Sequence, residues 1–145
     1  MTAAERRIHD EVSAALETVL DPCSVFNGTR LSLPELGMVD RVEVDGEGNV
    51  LVGLFLDDPT CIFFFEITRL IKEAVEPVAG VAGIDFDIKA DEVWTEDRMR
   101  PAARQRLDGI RRARRDVHAR EGAAAGWPLP MLPALPMAEK PGCSR

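Results

Sequence analysis

Two cysteines are the residues whose type and setting speak most directly of chemistry. Cys61 lies in Asp57-Asp58-Pro59-Thr60-Cys61-Ile62-Phe63-Phe64-Phe65, where an alternating apolar run gives way to a helical pattern. Asp58 is a good N-cap, and Pro59 suits a first helical position because its missing N–H would be unpaired there anyway. Cys61 is then expected in the first turn, where unpaired N–H groups favour an anion and a thiol ionises readily. The thiolate attacks electrophiles and binds soft metals. The competing reading is a small buried hydrophobe. Cys23 opens the loop after the first helix and has the same two readings. Both thiols sit at predicted helix ends, on what would be one edge of a small sheet. Two thiolates there could hold iron or a cluster edge, with a homodimer mate or a bound partner completing the shell. Cys143 is given no role.

Other chemistries find no support. His9 and His118 are far apart on polar helix faces, which speaks against a Ser/His/Asp or Cys/His set. There is no Walker loop and no Cys-x-x-Cys spacing for zinc. Gly46-Glu47-Gly48 lacks the third glycine and the helix of a dinucleotide fingerprint. No apolar run approaches the roughly 20 residues that span a bilayer, so no membrane partner is expected. The N-terminus is a polar helical pattern rather than a secretory leader, and three cysteines make an odd count. The expected setting is a reducing cytoplasm without a disulfide framework.

Charge is divided along the chain. Residues 1–97 hold 21 acidic and 7 basic side chains, a net of −14, whereas residues 98–121 hold 9 arginines against 3 acids, a net of +6. The body would repel nucleic acid. The arginine-rich stretch reads as a helix docked on that acidic body, ahead of nucleic-acid binding, because no aromatics interleave with the arginines.

These residues need a frame. Thr2-Ala3-Ala4-Glu5 has the capping-box form, and Ile8, Val12, Ala15, Leu16, Val19 and Leu20 continue at helical spacing until Asp21-Pro22 stops the helix. Residues 23–36 are irregular, with Asn27-Gly28 marking a turn, and Val25, Phe26, Leu31, Leu33 and Leu36 are expected to pack on the body. Met38 to Val44 and Val50 to Leu56 read as strands joined by a hairpin at Asp45–Asn49, the second covered on both faces. Phe63, Ile67, Leu70, Ile71, Ala74 and Val75 form the stripe of a second helix, ended by Pro77. Phe64 and Phe65 fall off that stripe, either packed on a loop or exposed as an apolar surface around the thiol. Ile84, Phe86 and Ile88 alternate in a third strand. Trp94 should pack on the body and find a partner for its N–H. Pro101 opens a helix expected to end at Gly122. Residues 123–137, with prolines at 128, 130, 133 and 136, favour an extended polyproline form. Their Trp127, Leu129, Met131, Leu132 and Leu135 allow a docking segment or a tail lying on its own domain.

The ordered set resembles the SufT/PaaD-type metal–sulfur cluster assembly family, which includes the MMS-nineteen-interacting protein of eukaryotes. The resemblance rests on Asp21-Pro22, Leu36-Gly37-Met38-Val39, Val42-Glu43-Val44-Asp45, Val50 to Leu56, Pro59-Thr60-Cys61, Ile67 to Val75, Gly80-Val81, Ile84 to Ile88, Trp94 and Met99 to Leu107, over roughly residues 5–110. It implies a small α/β domain that helps deliver or mature iron–sulfur clusters, with Cys61 as the functional cysteine. It also implies an accessory factor rather than a turnover enzyme. Three departures point to a specialised branch. Cys23 replaces the glutamate of the family's Asp-Pro-Glu, the loop from Pro22 to Gly37 is longer, and Ile62 rather than proline follows the cysteine.

The sequence thus predicts an α/β (α+β) domain over residues 1–121. Its small three-stranded mixed sheet is packed by helices in the order α-β-β-α-β-α, and a disordered Pro-rich tail occupies residues 122–145. The first functional reading is an iron–sulfur assembly or metalloenzyme-maturation factor. Cys61 would be ligand or transfer thiol and Cys23 its helper, holding iron or a cluster transiently. The partners would be a client metalloprotein or assembly components. The second is a metal-free adaptor using the Phe64/Phe65 surface, the arginine-rich helix and the tail. A third, a redox pair of Cys23 with Cys61, requires their Cα atoms within about 7 Å.

Overall fold

The computed structural model describes residues 1–56, 60 and 62–125. They belong to two units, Met1–Arg112 and Ala113–Arg145.

In the first unit, helix α1 (Ala3–Leu16) starts where the capping box places it. Thr2 accepts from the Glu5 N–H, the Glu5 carboxylate accepts from the Thr2 N–H, and Ile8, Val12 and Leu16 are buried. The helix stops four residues short of the expected end. Val19 and Leu20 are not a further helical turn, because the chain here pairs sideways. The Leu33 N–H donates to Val19 O at 2.9 Å, the Asp21 N–H donates to Leu31 O at 2.9 Å, and Leu20 bridges Ser32. The loop that follows contains a further helix, α2 (Pro22–Phe26), which the sequence reading left irregular. Leu31, Leu33 and Leu36 are buried as expected, whereas Val25 and Phe26 are exposed.

Strands β1 (Val39–Val44) and β2 (Asn49–Leu54) form the predicted antiparallel hairpin, and β3 (Gly83–Ile88) pairs parallel to β2, giving a mixed sheet in the order β1-β2-β3. The Asp45 carboxylate closes the hairpin by accepting from the Glu47 and Asn49 N–H groups at 2.9 and 2.8 Å. Parallel neighbours need a crossover, here α3 (Phe64–Val75). Helix α1 packs on β1 and α3, and α3 packs on β3. Between helices and sheet, Val50, Val52 and Leu54 join Val12, Leu16, Ile67, Ile71 and Val75 in one core.

The other face of β2 is covered by charged side chains rather than by a second layer. Gly53 sits between Arg41 and Asp87 in register, and Arg41 crosses it to Asp87 at 2.7 Å. A Cβ at Gly53 would stand 3.0 Å from Arg41 Cγ, so a bare strand position makes the crossing possible. Leu51 is half-buried, and the Arg98 guanidinium lies 3.6 Å over the Phe55 ring.

A short 3-10 turn (Glu96–Arg98) leads into α4 (Pro101–Ala125), which runs on through Gly122. Its proximal arginines dock on acidic partners as expected. Arg100 reaches Glu17 at 2.6 Å, Arg104 reaches Asp97 at 3.1 Å, Arg106 reaches Glu35 at 3.3 Å, and Arg111 reaches Glu96. In the second unit, residues 113–124 are exposed along their length. No helix among the described residues is long and apolar enough to cross a membrane. Of the tail predicted over residues 122–145, residues 122–125 instead continue α4, and residues 126–145 lie outside the described residues.

Candidate functional site

The site is built from the turn that carries Cys23. Asp21 and Pro22, expected to stop α1, instead begin α2, α1 having ended at Leu16. Asp21 is the N-cap of α2, with its carboxylate accepting from the Ser24 N–H at 2.7 Å, and Pro22 occupies the first turn. Asp21, Ser24, Thr29 and Ser32 are all buried polar residues, and their hydrogen bonds hold the loop. Ser24 Oγ lies 2.7 Å from Asp21 O and 2.9 Å from Leu31 O, where its one hydrogen serves one carbonyl at a time, and it accepts from the Leu31 N–H at 3.0 Å. The Asn27 amide oxygen accepts from the Thr29 N–H at 3.0 Å and lies 2.7 Å from its hydroxyl.

Cys23 is half-buried and opens into a pocket of about 200 Å³. Asp21, Asn27 and Thr29 give its wall polar groups, while Leu36, Met38 and Ile67 are apolar. Trp94 closes one side. Its indole N–H finds the expected partner, donating to Leu36 O at 2.6 Å, and its backbone N–H donates to Leu56 O at 2.9 Å. Glu96 and Arg111 complete the wall, the guanidinium donating two hydrogen bonds to the carboxylate. The hydrogen bond from Arg111 lowers the Glu96 carboxyl from its ordinary value.

The second predicted site residue, Cys61, lies outside the described residues, as do its proposed cap Asp58 and Pro59. The described helix α3 begins at Phe64, with Phe63 as N-cap and no side-chain cap. Phe64 and Phe65 diverge. Their rings stack edge to face, but Phe64 is half-buried and Phe65 is 80% exposed. His9 stands half-buried beside Asp10, 3.3 Å away, and His118 is exposed.

A pocket of this size falls below the roughly 300–1,000 Å³ of ordinary small-molecule sites. A thiol in such a pocket suits a soft metal or a sulfur cargo better than an organic cofactor. Among the described residues no group of three or more His, Cys, Asp or Glu side chains is placed to hold a metal ion. Further ligands would have to come from Cys61 or from another molecule. The sequence reading identified Cys23 but missed the polar frame of Asp21, Ser24 and Thr29 and the Glu96–Arg111 wall. The frame had a local signal, since Asp-Pro is a helix-starting pair; the Glu96–Arg111 contact spans 15 residues and had none.

Comparison with known proteins agrees with this architecture. Residues 9–86 match the family described as iron–sulfur cluster assembly protein, and the chain belongs to that family. An iron–sulfur cluster carrier protein of Mycobacterium leprae is 33% identical over 91 residues, 61% of this chain, a match that spans only 22% of the carrier's own length. An Fe–S protein maturation auxiliary factor of Porphyromonas gingivalis is 30% identical over 90 residues, covering 62% of this chain and 81% of that protein. Among solved structures, a domain of unknown function from Bacillus anthracis superposes with a TM-score of 0.63 at 22% identity, covering 72% of this chain and 95% of that one, and so shares the fold. A conserved hypothetical protein from Thermotoga maritima gives 0.56 at 28% identity, covering 68% and 91%.

Proposed function

We propose that this chain is an accessory factor in iron–sulfur cluster assembly, which helps to deliver or mature clusters for a client metalloprotein and does not itself turn over a substrate. The observation that carries the reading is the family match over residues 9–86, which takes in both Cys23 and Cys61. The cluster, or iron, is cargo. Cys61 is its ligand or transfer thiol, and Cys23, facing a small pocket, is the second thiolate. Two thiolates leave a cluster's shell incomplete. The remaining ligands come from the client or from an assembly component, which keeps the cargo exchangeable. The protein acts in the cytoplasm, where thiols stay reduced.

Anaerobic reconstitution with iron and sulfide, followed by absorption spectroscopy, tests the site. A visible chromophore is expected in the wild type and lost in both Cys61→Ser and Cys23→Ser. Loss in Cys61→Ser alone would reduce Cys23 to packing. A client matured normally by Cys61→Ser in a complementation assay would overturn the reading. The 80% exposure of Phe65 favours one rival, a metal-free adaptor, in which both cysteine variants would be harmless.

A further inference from the structure

Helix α2 is a wall with two sides. Cys23 and Asn27 face the thiol pocket, while Pro22, Val25 and Phe26 face a second and larger concavity of about 660 Å³. Across this groove stand Phe63, Leu70 and Ala74, at and along α3, and Val19 lies at its end. The groove is apolar and open. Phe26 is 91% exposed and Val25 43%, although only Ser24 of α2 is turned fully inward. Ile62, next to Phe63 in the chain, is 84% exposed. Apolar surface gathered in this way marks a contact site rather than scattered exposure.

The charge at the groove says what covers it. Its two charged lining residues, Glu66 and Glu73, are both carboxylates. One guanidinium, that of Arg69, serves both, so the wall keeps net negative charge. We infer that the groove seats an amphipathic helix of a partner protein, with an apolar stripe turned inward and lysines or arginines on its flanks. Two helical walls with apolar anchors between them fit the helix-in-groove mode of recognition. The seated helix lies one turn of chain away from Cys23. The inference rests on the assembly reading for what the partner is, a client or an assembly component, but not for whether the groove binds.

The test uses the full chain without iron and a labelled synthetic helical peptide. The peptide carries leucine and phenylalanine at i, i+3, i+4 and i+7 with lysine flanks, and binding is followed by fluorescence anisotropy. Saturable binding is expected, about tenfold weaker for Phe26→Ser, as for the loss of an anchoring aromatic. Added salt and glutamate flanks should both weaken it. Phe26 is exposed, so the variant should fold, which circular dichroism checks. Equal binding by Phe26→Ser, or by the glutamate-flanked peptide, overturns the inference. So does a wild-type dimer that Phe26→Ser dissociates, which would give the groove to a second copy. Binding that is silent until Leu129, Leu132 and Leu135 are changed to serine would give it to the chain's own C-terminal segment, and also overturns it. The two proposals fail separately. Cys23→Ser and Cys61→Ser should leave peptide binding unchanged, and Phe26→Ser should leave the iron–sulfide chromophore unchanged.

Discussion

Asp21 carries more of the site than its sequence setting announces. It is buried, and its carboxylate takes the Ser24 N–H at 2.7 Å. Loss of such a cap costs about 1–2 kcal/mol, and here it would also loosen the turn that holds Cys23. Asp21→Ala should therefore lower the urea midpoint by a corresponding amount, while Asp21→Asn, which keeps an acceptor, should recover most of it. An unchanged midpoint in the alanine variant would remove Asp21 from this role. The residue also shows why local signals mislead. Asp-Pro marks a helix start, and the chain contains the pair at Asp21-Pro22 and again at Asp58-Pro59. By local pattern the first reads as a stop, yet it is an N-cap; the second reads as a helix start and lies outside the described residues. By contrast, the capping box at Thr2 and the turn at Asp45 were legible, because every partner they need lies within four residues.

At the scale of elements, the period of the apolar residues gave the helices and strands but not where they end. Val19 is buried, so it continues the pattern of α1, yet it is buried by the bridge to residues 31–33 rather than by a further turn. No period in the sequence distinguishes those outcomes. Connections behave differently again. Gly37 joins the buried loop to β1 with φ +69°, and a Cβ there would stand 2.0 Å from Arg98 O. Neither the strained angle nor the backbone contact can be met by alanine without movement. Gly37→Ala is expected to destabilise the fold by about 2 kcal/mol or more, read as a fall in thermal midpoint. A midpoint equal to wild type would show that the 3-10 turn before α4 yields without cost.

At the scale of the molecule, carboxylates held by basic partners tie distant segments together. Glu35 accepts from the Ser32 N–H at 2.8 Å and lies 3.3 Å from Arg106, and these contacts hold its carboxyl below the ordinary 4.5. Hydrogen bonding from Lys89, with help from Arg41, lowers Asp87 in the same direction. A depressed folded-state pKa contributes stability that is whole above the unfolded value and is lost as pH falls through the folded one. The stability advantage of wild type over Glu35→Gln should therefore be constant above about pH 4.5 and shrink as the pH falls further. An advantage that persists unchanged at lower pH would mean that the carboxylate charge is not the source. The charge division of the sequence foretold the docking of the arginine helix, though not which arginine meets which acid, because those pairings depend on the folded path. One consequence follows from the wall that α2 makes between pocket and groove. Only five residues separate the two, and both concavities are shaped by the same turn. Were cargo held on one side and a helix on the other, as proposed, whatever factor the docked helix applied to the hold on the cargo, the cargo would apply to the hold on the helix. A partner that loosened that hold as it docked would be released less readily once the cargo had left, and so would stay seated after delivery.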